Sequence, residues 1–137
     1  MSSFKVFDIA SSGMSAQNLR MNLVASNLAN VDAVSSSTEA TYRSRQPVFR
    51  TVLDAQNPDG ATAGVQMAGV VESPAPLNRD YAPQHPMADE EGYIYRPNVN
   101  PMEEMANMIS ASRSYQNNVE VINSARQMLA ALINLGR

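Results

Sequence analysis

The sequence predicts a mainly α fold in which long N- and C-terminal helices pair as an antiparallel coiled-coil hairpin around a small β-rich or extended insert. Three observations predict it. Apolar or semi-apolar residues recur at alternating three- and four-residue steps through the last third of the chain. A matching stripe runs through the first 31 residues, and the stretch between them is broken by prolines and turn residues.

The C-terminal helix is the clearest element. Its stripe is Met105, Met108, Ser112, Tyr115, Val119, Ile122, Arg126, Leu129 and Ile133, a heptad seam. No proline follows Pro101 and no glycine occurs before Gly136. Asn100 is placed to cap, Pro101 suits the first helical position, and Glu103 stands where a capping box needs it. Glu104 adds negative charge near the positive end of the helix dipole, with Arg126 and Arg137 toward the other end. A second stripe, Val121, Ala125, Met128, Leu132 and Leu135, widens the apolar sector beyond what one partner helix covers.

Residues 3–31 form the second helix. Phe7, Ala10, Met14, Gln17, Met21, Val24, Leu28 and Val31 make its seam, with Ile9, Ala16, Leu19 and Leu23 beside it. Ser3 is a candidate cap, and Gly13 is a weak point costing about 1 kcal/mol relative to alanine. The remaining face carries Ser15, Asn18, Asn22, Ser26, Asn27 and Asn30 rather than Glu and Lys. Uncharged polar groups can be buried against protein without the desolvation cost of a charge, so this face is expected to be partly covered in an assembly.

Between the helices, 32–41 has loop composition. Tyr42 to Leu53 reads as an extended segment that Pro47 makes an edge or a broken strand. Asn57 to Gly60 is a turn, Val65 to Val71 a short strand, and the four prolines from Ser73 to Pro86 suggest an extended crossing. Asp89 to Gly92 turns into a strand at Tyr93 to Tyr95. The domain division expected is therefore 1–31 together with 100–137 as the helical core, and 32–99 as the insert.

Composition narrows the function. Charged residues are 17% and the net charge is −3, which does not recommend nucleic acid or an anionic membrane as a partner. Cysteine is absent, which excludes disulfides and thiolate chemistry. No apolar run nears the roughly 20 residues that cross a bilayer, and no apolar stretch follows Lys5 as in a cleavable secretory signal. His85 beside Asp89, Glu90 and Glu91 reads as a solvated acidic turn rather than a metal site. Arg43, Arg45 and Arg50 with Tyr42 and Phe49 have no nucleic-acid-binding motif around them. The helices lack the Lys/Arg-rich polar face of membrane-surface helices. No nucleophile, phosphate loop or cofactor signature is present, so neither an enzyme nor a cofactor is expected.

The run Ser11-Ser12-Gly13-Met14-Ser15-Ala16-Gln17, followed by Ala25-Ser26-Asn27-Leu28-Ala29-Asn30, resembles the N-terminal signature of bacterial flagellar axial proteins. The segment from His85 through Tyr93-Ile94-Tyr95-Arg96-Pro97-Asn98-Val99-Asn100, continuing from Met108 to Glu120, is similar to the basal-body rod members of that family. Relatives often place a glycine before an aromatic-basic pair where Ala40 and Thr41 stand here. Gly13, Asn27, Asn30, Asn98, Asn100, Ser112, Arg113 and Tyr115 carry the resemblance. It implies a structural subunit of the flagellar rod, the drive shaft crossing the periplasm, exported unfolded by the flagellar type III apparatus. Its neighbours would be other rod proteins, copies of itself and the base of the export gate.

The residues expected to pack between subunits are Phe7, Met14, Met21, Val24, Leu28, Met105, Met108, Tyr115, Val119, Ile122, Leu129, Leu132 and Ile133. The competing function is a monomeric helix-groove adaptor or export-chaperone-type protein.

Overall fold

A computed structural model describes residues 3–53 and 63–136. The turn expected at Asn57 to Gly60, and Arg137, lie outside the described residues. Two helices, α1 (Ser3–Ala29) and α2 (Pro101–Leu135), enclose four strands: β1 (Arg45–Leu53), β2 (Ala63–Glu72), β3 (Asn78–Tyr81) and β4 (Tyr93–Arg96).

The mainly α class needs correction. Helix accounts for 49% and strand for 22% of the described residues, arranged as two helices plus two small antiparallel sheets. The fold is mixed α and β. β1 and β2 form a ribbon in which Pro47 is tolerated because each strand of a two-stranded sheet keeps a free edge. A bulge between Val48 and Phe49 leaves Ala68 of β2 unmatched. The ribbon packs on α1, where the Val65 N–H donates to Ser12 Oγ at 3.1 Å.

The strand that sequence reading missed is β3, inside the proline-rich crossing. All four of its residues are exposed, so it has no alternation of apolar and polar positions to read. Pairing with β4 holds it, helped by Tyr81 edge-on to Tyr93 at 5.1 Å. Arg96 Nε lies 3.0 Å from Asp80, and Arg79 lies 2.8 Å from Glu91 and 3.6 Å above the Tyr93 ring. These exposed pairs contribute about 0–1 kcal/mol each. On its other edge β4 bridges Ser35, whose N–H and C=O exchange 3.0 Å hydrogen bonds with Tyr95.

The turn into β4 is organised by Asp89. One carboxylate oxygen accepts the Tyr93 N–H at 2.8 Å and the Glu91 N–H at 3.0 Å; the other accepts the Tyr95 hydroxyl at 3.2 Å. Gly92 takes a φ of +83°, which favours glycine. The Tyr93 amide bond is the main reason the Asp89 carboxyl titrates below its ordinary value. Burial, and then the bond to Asp89, raise the Tyr95 phenol. A lowered folded-state pKa means stabilisation present above the unfolded value and lost as pH falls through the folded one. Acidification through that range should therefore release the Tyr93 amide, seen as a shift in its NMR resonance. Asp89→Asn should remove the transition; an unchanged transition would show that another group carries it.

α2 begins as its sequence dictates. Asn100 Oδ1 accepts the Met102 N–H at 3.1 Å and the Glu103 N–H at 3.5 Å, Pro101 opens the helix, and Glu103 and Glu104 lie in its first turn.

The helices run in opposite directions: Arg20 Nη2 donates to Asn107 Oδ1 at 3.0 Å, and Gly13 faces Asn118. A Cβ on Gly13 would lie 3.0 Å from Asn118 Nδ2, so the missing side chain permits the close approach. One column of each sequence-derived seam is displaced by one residue. On α2 the buried column is Glu104, Ala111 and Ala125, with Asn118 in step, rather than Met105, Ser112, Val119 and Arg126. On α1 the residues that meet Asn118 and Asn107 are Gly13 and Arg20 rather than Met14 and Met21. Small and polar residues meet at the centre of the pair, and the larger apolar ones border it.

Candidate assembly surface

The core is built from small side chains. The buried hydrophobic residues are Ala10, Ala16, Val24, Ile94, Val99, Ala111 and Ala125, and the largest side chains buried completely are Asn27 and Pro97. Large apolar side chains lie outside instead. On α2, Met102 is 73% exposed, Ile109 56%, Met128 63%, Leu132 63%, Ile133 66% and Leu135 82%. Leaving such side chains in water forgoes about 1.5–3 kcal/mol each relative to full burial.

The expected packing residues fall into three groups. Val24 is buried between the elements of this chain. Phe7, Met14, Met21, Leu28, Met108, Tyr115, Val119, Ile122 and Leu129 are half-buried along the borders of the helix pair. Met105, Leu132 and Ile133 are exposed. Near the end of α2, Val121, Ala125, Met128, Leu129 and Leu132 join Val6 of α1 around an open, mostly apolar groove of about 440 Å³. α2 is 35 residues long against 27 for α1, so its last turns reach past the start of its partner.

Two further apolar surfaces lie mostly outside the expected packing residues, of which they include Met105 alone. Met102, Met105 and Ile109 form an exposed stripe on the opening turns of α2, readable as steps of three and four. The β1–β2 ribbon exposes Val48, Val52, Leu53, Val65, Val70 and Val71. A strand pattern signals a half-buried ribbon, and nothing in it tells which face stays wet.

The asparagines that carried the resemblance have work inside the chain. Asn27 is 1% exposed. Its Oδ1 accepts the Arg45 N–H at 3.0 Å and the Tyr42 hydroxyl at 2.8 Å, while its Nδ2 donates to the Arg45 carbonyl at 2.9 Å and Ser44 Oγ at 3.4 Å. One amide thereby imitates a strand neighbour for Arg45 and fastens the ribbon to α1. Asn98 does the same between segments: Oδ1 accepts the Ser44 N–H at 2.8 Å, and Nδ2 donates to the Ala75 carbonyl at 2.9 Å. Asn30 donates to the Ser26 carbonyl at 2.8 Å, and Asn100 caps α2. Ser112 and Tyr115 are half-buried, and Arg113 is exposed.

Arg43 donates to the Ser73 and Ala75 carbonyls, Arg45 pairs with Glu72 at 3.3 Å, and Arg50 donates to Gln66, so this basic group is engaged within the chain. His85 Nδ1 accepts the Met87 N–H at 3.1 Å as part of a turn. Where relatives often place a glycine, Thr41 is buried and donates to the Ser37 carbonyl at 2.6 Å. No non-glycine residue among those described has a positive φ, so Ala40 is accommodated there without strain. No helix is long and apolar enough to cross a membrane among the described residues.

Comparison with known proteins places these features. A family described as "Flagella basal body rod protein" matches residues 7–35, and one described as "Flagellar basal body rod FlgEFG protein C-terminal" matches residues 90–135. The chain is 46% identical over 137 residues to flagellar basal-body rod protein FlgC of Salmonella typhimurium, covering all of both chains. It is 45% identical over 137 residues to FlgC of Escherichia coli O157:H7, and 31% identical over 150 aligned residues to FlgC of Bacillus subtilis, again with full coverage of each. Identity of this level over the whole length, with all of α2 and most of α1 inside the matched regions, means that the chain belongs to the FlgC family of flagellar basal-body rod proteins, non-enzymatic structural subunits of the rod.

Proposed function

We propose that this subunit polymerises helically with other rod proteins and with copies of itself to form the proximal drive shaft that transmits motor torque across the periplasm. Residues 1–31 and 100–137 line the tube and make the subunit contacts; residues 32–99 face outward. The base of the flagellar export gate is a neighbour, and the type III apparatus delivers the chain. The observation that carries this reading is the inverted distribution of apolar bulk, with alanines inside and Met128, Leu132, Ile133 and Leu135 outside. A contact between unlike patches on successive molecules propagates into a helical array. A monomeric adaptor has no need of separate apolar surfaces at both ends of α2.

Side-chain-resolution imaging of intact basal bodies tests the arrangement. The expected density places α1 and α2 along the channel wall in repeated copies; a single peripheral copy would favour the adaptor. For delivery, deletion of the first 30 residues should leave the protein inside the cell. Export of the shortened chain would place the address elsewhere.

A further inference from the structure

Glu104 sits in the first turn of α2 and is 4% exposed. Its Oε2 is buried and has no hydrogen-bond partner, and no ion pair reaches it among the described residues. A carboxylate withdrawn from water without a partner is strongly unfavourable, and the nearby helix dipole compensates only in part. Glu104 lines a groove between α1, β1 and the opening of α2, together with Val24, Pro47, Phe49 and Glu103. Two arginines also line it, and both are engaged elsewhere. Arg20 donates to Asn107 Oδ1, and Arg45 pairs with Glu72. The groove therefore combines a buried carboxylate oxygen, an exposed second carboxylate and apolar sides, which suits a guanidinium on an apolar stem.

We propose that this groove receives Arg126 from another copy of the chain, whose guanidinium supplies the missing partner of Glu104. Arg126 is exposed on α2 and makes no hydrogen bond or ion pair among the described residues. No acidic residue follows Glu120 in the sequence, and Met128 and Leu129 stand beside Arg126. Its turns are thus basic and apolar, and the groove holds an unpartnered buried carboxylate oxygen beside apolar side chains, its own two arginines being engaged elsewhere. This contact rests on the assembly reading above and names one of its interfaces.

Charge exchange tests it, with two readouts: the Tm of the purified chain and its incorporation into basal bodies. Glu104→Gln should leave Tm unchanged or raise it, because an unpaired buried charge is removed, while lowering incorporation at least about tenfold. Glu104→Arg and Arg126→Glu should each block incorporation, and the two together should restore it. A fall in Tm with Glu104→Gln would mean that Glu104 is paired inside the chain and would overturn the proposal. So would normal incorporation of that variant, or rescue of Glu104→Arg by Arg113→Glu instead of Arg126→Glu. Absence of the wild-type chain from basal bodies in the same experiment would instead defeat the assembly reading itself.

Discussion

Asn27→Leu should destabilise the isolated chain by about 3 kcal/mol, the largest effect expected of any single substitution in the fold. The leucine has a similar volume but no polar atoms, so packing is nearly conserved and the loss is in hydrogen bonding. The Arg45 N–H and C=O, the Tyr42 hydroxyl and the Ser44 hydroxyl all lose a partner at a residue that is 1% exposed. For a chain whose buried apolar residues are mostly alanine, such a loss is a large share of a total that is typically about 5–15 kcal/mol. Thermal unfolding followed by circular dichroism should show a fall in Tm on the order of 10 °C. The β1–β2 ribbon should loosen first, because Asn27 is what ties the Arg45 end of the ribbon to α1. A variant as stable as the parent would mean that the ribbon is held by other contacts.

Leu132→Asp should have the opposite profile. The side chain is 63% exposed in the single chain, so the substitution should change its stability by no more than about 0.5 kcal/mol. The proposed assembly covers the same position, and a carboxylate buried there without a partner would cost about 3–5 kcal/mol per contact. Rod completion and swimming should be lost while the purified protein unfolds at the parental temperature. Ile133→Asp should behave in the same way, at 66% exposure. Ordinary swimming with either variant would mean that the end of α2 stays in water in the rod.

The contrast between these two positions shows what could be read from sequence. The helices were legible because the 3.6-residue period persists over many turns and Asn100-Pro101 marks a start with a definite mechanism. Their facing columns were not, because a search for large apolar residues selects Met14 and Val119 over Gly13 and Asn118. Close packing at a helix crossing favours small residues, and Ala111 and Ala125 each lie seven positions from Asn118 in that same register. β3 was illegible for another reason: Asn78 to Tyr81 owes its conformation to β4, far along the chain, and to the Arg79 and Asp80 side-chain pairs. Asn27 was singled out by resemblance, but its task was not. An amide that takes the place of a strand neighbour leaves no spacing pattern, since its partner is a backbone group 18 residues away. Glu104 was legible as a charge at the positive end of the helix dipole, but its burial comes from the approach of α1 and β1.

The account depends on one chain leaving more apolar surface uncovered than it hides. Amide hydrogen exchange over 121–135 measures that directly, compared between the purified subunit and intact basal bodies. The expected result is rapid exchange in the free chain, where Met128, Leu132, Ile133 and Leu135 lack cover, and strong protection in the rod. Slow exchange through those turns in the dilute subunit, unchanged on assembly, would contradict it.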